Sequence, residues 1–369
     1  MTDRPRLVFL DNLRASVILL VIVLHASISY MLYGPPWWYV VDPDQGLEFT
    51  ALVLLVDVPL MPILFFVAGY LALPSLRRHG TGAFVRGKLV RLGAPWVFGV
   101  VVLAPLITYV GYLSRGVPTG YLEFWTGDFW GPMFQQAVYW FLGVLLALFL
   151  LLAWAWEASP RLQGWTPTPS RPGPWFFPAF VALSAVGAIL FSPVNGLDDW
   201  VPFGWLFVVQ PARLGFYAGY LVLGIVAERR GWLGPGGYQP DPPTWVAGAV
   251  ATGIAYLAYR LTGSLDTAPE RIVAGLLFSA FCLSALMAGV AGFARWGSWT
   301  GRTWRALAAN SFGIYYVHPL ILYPLAWGLV GVPLPPLAKV VILVVVTACG
   351  SLALSALVLR RVPGVRRAF

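Results

Sequence analysis

In LDNLRASVILLVIVLHASISY, residues 10–30, only Asp11, Arg14 and His25 bring ionisable chemistry into a long apolar run. On a helix of about 3.6 residues per turn these three, with Ser29, fall in one narrow sector. A single polar stripe therefore turns away from faces of Val, Ile and Leu. Imidazole titrates closest to neutrality, which suits it to general base work or to carrying a transferred group covalently. Arg14 lies about 16 Å from His25 at ~1.5 Å of rise per residue, where a guanidinium suits an anion at the helix end. Ionisable groups inside an apolar helix are costly and mark sites. The plainer readings are an interhelical hydrogen bond for His25 and, for Asp11 with Arg14, an ion pair anchoring the helix end.

Two further groups carry the same chemistry. LRRHGTGAFVRGKLVRLGAPW, residues 76–96, gathers Arg78, Arg86, Lys88 and Arg91 with His79 in a predicted loop between two apolar runs. It reads either as an anion site for a phosphate-bearing donor or as a basic loop that fixes topology and meets anionic lipid. ANSFGIYYVHPLIL places Ser311, Tyr315 and His318 on one helical face. His318 then lies at mid-depth, either meeting His25 or capping a polar crossing. Asp57, beside Pro59 and Pro62, is a candidate partner for His25 or a hydrogen bonder at a kink. Arg213 either contacts a polar substrate or snorkels. Cys282 and Cys349 read as small buried residues, and no disulfide framework or metal site is expected.

The elements that must position these groups are transmembrane helices. The 369 residues are 59% hydrophobic and 11% charged, against about 25% charged in soluble domains. The fold expected is an all-α polytopic membrane helix bundle, a single domain over 1–369. Runs of about 20 apolar residues span a bilayer. Ten lie near 9–33, 47–73, 92–113, 136–157, 175–192, 206–227, 244–262, 271–293, 309–330 and 337–359. The first is no signal peptide, because it holds Arg14 and no small-residue cleavage site follows. Trp37, Trp38, Tyr39, Trp125 and Trp130 read as an interfacial belt. With the N-terminus inside, inner segments collect 19 of the 24 Lys and Arg, Arg4 and Arg6 included, and outer loops collect most acids. That bias predicts cytoplasmic termini. The net charge of +9 is therefore a topology signal, and no nucleic-acid partner is expected.

Taken together these segments resemble the acyltransferase-3 family of ten-span membrane acyltransferases, most of all its branch containing the periplasmic-glucan succinyltransferase. The resemblance is carried by LDNLRASVILLVIVLH, PILFFVAGY, GKLVRLGAP, YWFLGVLL, FYAGYLVLGIVAERRGWL and NSFGIYYVHPL, in order along nearly the whole chain. Arg14 and His25 match the family's arginine, ten residues, histidine signature. The resemblance implies that His25 is the catalytic histidine, with Arg14 its paired arginine and Asp11 beside them. Lys88 and Arg91 stand where the family has an Arg-x-x-Arg pair that engages the acyl donor. Lys88 departs from that pattern, with Arg86 and Arg78 close by. Many relatives have histidine where Tyr139 precedes Trp140, so Tyr139 is assigned no catalysis and Trp140 a supporting place.

The expected activity is transfer of an acetyl, succinyl or similar group from cytoplasmic acyl-CoA to a hydroxyl of a glycan or other polar acceptor. Acyl-CoA is then a co-substrate, with no bound cofactor, in a multi-pass protein of the bacterial inner membrane. No esterase-like domain is expected after the last span. The rival classes are a proton-coupled transporter or flippase, favoured by the intramembrane charges and prolines, and a scaffold without chemistry.

Overall fold

The computed structural model describes residues 7–131, 133–164, 166–204 and 207–369. Arg4 and Arg6 lie outside the described residues. In chain order the helices are α1 Val8–Ile28, α2 Leu47–Lys88, α3 Ala94–Phe98, α4 Ala104–Ser114, α5 Tyr121–Thr126, α6 Trp140–Ala158 and α7 Pro160–Gln163. There follow α8 Phe176–Ser184, α9 Val186–Phe191, α10 Pro211–Arg229, α11 Pro242–Thr262, α12 Ala268–Trp296, α13 Arg302–Leu329 and α14 Pro336–Leu354. A short hairpin, β1 Val201–Phe203 against β2 Phe207–Val209, departs from the all-helical expectation and displaces the start of the sixth apolar run.

Each of the ten apolar runs contains helix. Among the described residues, five helical stretches are long and apolar enough to cross a membrane: Val8–Ile28, Leu47–Ser114, Ala137–Ala158, Ala268–Trp296 and Pro336–Leu359. The second of these takes in two of the runs. The other four runs fall short by that measure for visible reasons. The fifth is divided between α8 and α9 at Ala185. Polar positions dilute α10 (Arg213, Glu228) and α13 (Asn310, Ser311, His318), while glycine, threonine and tyrosine do so in α11. The chain is an integral membrane protein in which the helices richest in polar groups are those that carry the site.

The basic segment 76–96 is not a loop. Leucine, arginine, lysine and alanine favour helix, and α2 runs on to Lys88 before a π turn at Leu89–Gly93 leads into α3. Its one interruption is Gly80, at φ 75° and ψ 164°, a conformation essentially reserved for glycine. The cations beyond Gly80 thus sit on a rigid, redirected helix.

α1 is enclosed by α2, α12, α13 and α14. Leu13, Val17, Ile18, Val21, Ile22 and Ala26 are all buried, so its polar stripe meets protein rather than lipid. α2 and α10 approach closely enough to need glycine on both sides. A Cβ at Gly69 would lie 2.0 Å from the Leu221 carbonyl oxygen, and one at Gly224 would lie 2.1 Å from that of Phe66. Small residues let membrane helices touch backbone to backbone, and this crossing sets Asp57 of α2 beside Arg213 of α10. Cys282 is buried as expected, whereas Cys349 is exposed on α14, facing outward among valines.

Candidate active site

The central contact follows from one dipeptide, His318-Pro319. A helical residue's N–H bonds the carbonyl four positions back, and proline has no N–H to give. Pro319 therefore leaves the Tyr315 carbonyl without its helical donor. The Nδ1 of His318 supplies the missing bond at 2.7 Å. A carbonyl oxygen only accepts, so this nitrogen carries the proton, and Nε2 of the neutral ring holds the lone pair. His25 Nδ1 lies 2.9 Å from that Nε2 and must donate to it. Neutral His25 is left with its lone pair on Nε2, which has no hydrogen-bond partner among the described residues. The two rings stack at 5.1 Å between centroids, and His318 is fully buried. This order, carbonyl to His318 to His25, is that of an oriented base.

Three cavities lie about α1 and α13, and two of them open on His25. One of about 500 Å³ is lined by Arg14 and Ile18 of α1, Lys88, Arg91, Ser311, Tyr315 and the segment 366–369. Arg14 is held there by α13, its Nε donating to Ser311 Oγ at 3.2 Å and its Nη2 to the Ala308 carbonyl at 3.4 Å. Asp11 flanks the same guanidinium at 3.4 Å. The Lys88 ammonium lies over the Phe149 ring, 3.9 Å from its centroid. Among the described residues no aspartate or glutamate side chain lines this cavity.

Beyond Tyr315 lies a second cavity of about 420 Å³, which reaches Val21, Leu24, His25 and Ile28 on the same face of α1. Tyr315 lines both cavities, and its hydroxyl donates to the Val138 carbonyl. On the far wall of the second cavity is a ladder of alternating charge. Arg213 bonds Asp57 at 2.6 Å and also Asp198, which is bonded in turn by Arg260 at 2.7 Å. Burial pushes the Asp198 carboxyl up, but Arg260 and Arg213 outweigh it and hold the group at about 2. A value below the ordinary 3.8 means that this latch contributes stability above that pH and loses it only as pH falls through about 2.

The third cavity, about 350 Å³, also opens on His25 and is walled by Trp37, Trp38, Trp140, Trp200, Tyr39, Gln135 and Gln136. Trp38 lies 5.7 Å from the His25 ring. The loop that carries Trp38 is held at three points. Arg115 donates to the carbonyls of Pro36 and Trp38, Asp42 accepts from the buried Lys339 at 2.9 Å, and Tyr39 packs 4.3 Å from Tyr323.

The structure thus brings together Arg14, Asp11, Ser311, Tyr315, His318 and His25 along the α1–α13 seam, with Lys88 and Arg91 at its basic end. Arg78 and Arg86 are exposed and do not line the basic cavity. Asp57 does not pair with His25, because His318 occupies Nδ1 and Arg213 claims the carboxylate; it shares only the cavity. Arg213 is 5% exposed and doubly paired, so it does not snorkel. Trp140 lines both cavities that open on His25. Of the aromatic belt, Trp37 is 44% exposed but Trp38 only 6%, so Trp38 is a site residue. Sequence reading also passed over Asp198, Arg260, Arg366 and Arg367. The first two carried a signal in being opposite charges flanking outer ends of apolar runs.

A family model described as an acyltransferase domain, that of acyltransferase-3, matches residues 7–356. Glucans biosynthesis protein C of Escherichia coli O81 (strain ED1a) is 24% identical over 276 residues, 70% of this chain and 67% of that one. Its counterpart in Escherichia coli (strain K12) is 25% identical over 155 residues, 40% of this chain and 38% of that one. The match thus spans as little as 38% of the length of such relatives. No solved structure matches. With the family match running unbroken from the start of α1 to the end of α14, through both histidines and every cavity wall up to the last turn, the chain belongs to the acyltransferase-3 family.

Proposed function

We propose that this acyltransferase is a membrane O-acyltransferase, taking its acyl group from acyl-CoA and passing it to a hydroxyl of a carbohydrate. The observation that carries the reading is the His25 imidazole, oriented by His318 in the wall of two cavities, with a basic cavity on the far side of Tyr315. Phosphates of the donor would meet Arg14, Lys88 and Arg91, and the thioester would reach inward past Tyr315. The acceptor would enter from the opposite side, among Trp38, Trp140 and Gln136. The name of the glucan-related relatives supports a sugar there. The basic bias supports placing the donor cavity on the cytoplasmic side, with ten spans in the bacterial inner membrane.

In the reaction His25 Nε2 takes the hydroxyl proton as the acceptor oxygen attacks the thioester carbonyl. The new C–O bond forms, the C–S bond breaks, and the departing thiolate recovers the proton from the imidazolium. Arg14 and Asp11 hold the donor end. In a second route His25 Nε2 attacks the thioester, forming a C–N bond as the C–S bond breaks and the thiolate leaves. The acceptor hydroxyl then attacks the acyl carbon, the C–N bond breaks, and the hydroxyl proton passes to the thiolate. This route is favoured by Tyr315, which stands between the donor cavity and the acceptor cavities.

The test is turnover of acetyl-CoA and succinyl-CoA by purified protein with a glucan oligosaccharide. Losing a positioned general base costs about 10²–10⁴-fold, and His25→Ala is expected to fall in that range. Undiminished transfer in His25→Ala would falsify the assignment.

A further inference from the structure

We propose that Arg366 and Arg367 form a phosphate clamp at the basic cavity, pinned there by Phe369. The inference rests on the donor reading above and extends it to a segment that lies beyond the family match. After α14 the chain passes a π turn at Ser355–Leu359, reverses at Gly364 with φ 91°, and makes a short 3-10 turn at Val365–Arg367. It returns to α13, where the Phe369 ring stacks on Phe312 at 4.9 Å and meets Tyr316 edge-on at 5.0 Å. Those two residues are one helical turn apart, so a single ring fixes the segment against one face of α13.

That placement puts Arg366 and Arg367 in the wall of the cavity that already holds Arg14, Lys88 and Arg91. Both side chains are exposed, and neither has a hydrogen-bond or ion-pair partner among the described residues. Five cations around one cavity, offset only by Asp11 beside Arg14, repel one another, and an anion between them relieves that repulsion. The choice of side chain indicates which anion. Guanidinium forks bond phosphate oxygens in pairs, whereas an ammonium acts as a point charge. Lys88 lacks that fork and Arg86 is outside the cavity, so the clamp restores it from the other end of the chain. The phosphate belongs either to a nucleotide, as in a CoA donor, or to an anionic lipid headgroup at the membrane edge.

The experiment uses the full chain in nanodiscs, with adenosine 3′,5′-bisphosphate as the nucleotide probe in phosphatidylcholine. Retention of phosphatidylglycerol by native mass spectrometry is the lipid arm. Charge-assisted bonds of this kind support about a tenfold loss of affinity in Arg366→Gln/Arg367→Gln. Phe369→Ala should weaken the same ligand with both arginines intact, which separates pinning from charge. Loss for the bisphosphate alone assigns the clamp to a nucleotide, and loss of phosphatidylglycerol alone assigns it to lipid. Wild-type affinity in both arms for both variants overturns the clamp while leaving the donor reading intact. Failure of the wild-type protein to bind the bisphosphate overturns the donor reading, and the lipid arm still decides the clamp.

Discussion

At the scale of single residues, Pro319 does as much for the site as the histidine before it. By withholding an N–H it opens the Tyr315 carbonyl, and that carbonyl dictates which nitrogen of His318 is protonated. The same device recurs on α2, where Pro62 frees the Val58 carbonyl and Cys282 Sγ approaches it at 3.6 Å. His318→Ala would leave the His25 Nδ1–H without its acceptor, a loss of at most about 1–3 kcal/mol. Turnover should fall about 10–100-fold, as when a partner that orients a functional imidazole is removed. Pro319→Ala should restore the helical N–H, compete for the Tyr315 carbonyl and cost less. Ring ¹⁵N shifts of labelled histidine report the tautomer: wild-type protein should show His25 protonated at Nδ1, and Pro319→Ala should mix the forms. An unchanged kcat in His318→Ala would sink the relay. His25 and His318 were visible in the sequence as polar points on apolar faces. Their contact was not, because two helices nearly 300 positions apart share no local pattern that fixes their rotation about each other.

At the scale of elements, the basic stretch after α2 shows how one backbone position sets a site. Gly80 adopts φ 75° and ψ 164° with open space where a Cβ would go, so a substitution there is resisted by backbone alone. Gly80→Ala should destabilise the protein by about 1–3 kcal/mol. Gly82, two residues on, is helical and equally uncrowded. Gly82→Ala should be neutral or stabilise by about 0.4–1 kcal/mol. Thermal unfolding in one detergent compares the pair, and equal melting temperatures would show that the break can be closed. Gly80→Ala should also raise the donor KM, since the redirected helix carries Lys88 toward the basic cavity. The sequence showed the charges of this stretch plainly but not its helix, because glycines at 80, 82 and 87 resemble loop punctuation. The loop carrying Trp38 misled in the opposite sense. Adjacent tryptophans beside a span end look like an interfacial belt whether a ring meets headgroups or a buried imidazole. Only the Arg115 and Lys339 anchors, remote in sequence, decide which.

At the scale of the whole molecule, charge is sorted to two ends. Arg14, Lys88, Arg91, Arg366 and Arg367 converge on one cavity, whereas Asp42, Asp57, Asp198, Lys339 and Arg260 lie in ion pairs at the other end. Residues from the beginning, first quarter and end of the chain meet at the basic end. That gross sorting was legible because basic residues resist translocation across the membrane. The finer count of crossings was harder to read, because α10, α11 and α13 trade apolar positions for the polar ones that build the site. Sidedness can be measured directly. In a variant with Cys282 and Cys349 replaced by alanine, single cysteines are introduced at Arg78 and Asp44. Both positions are exposed, and neither lines any of the three cavities. An impermeant maleimide added to intact spheroplasts should label Asp44→Cys and spare Arg78→Cys until the membrane is opened. Labelling of Arg78→Cys from outside would put the basic cavity on the wrong face for a cytoplasmic donor. The charge ladder and aromatic cavity would then face the cytosol, and the acyl group would have to come from a donor outside the membrane.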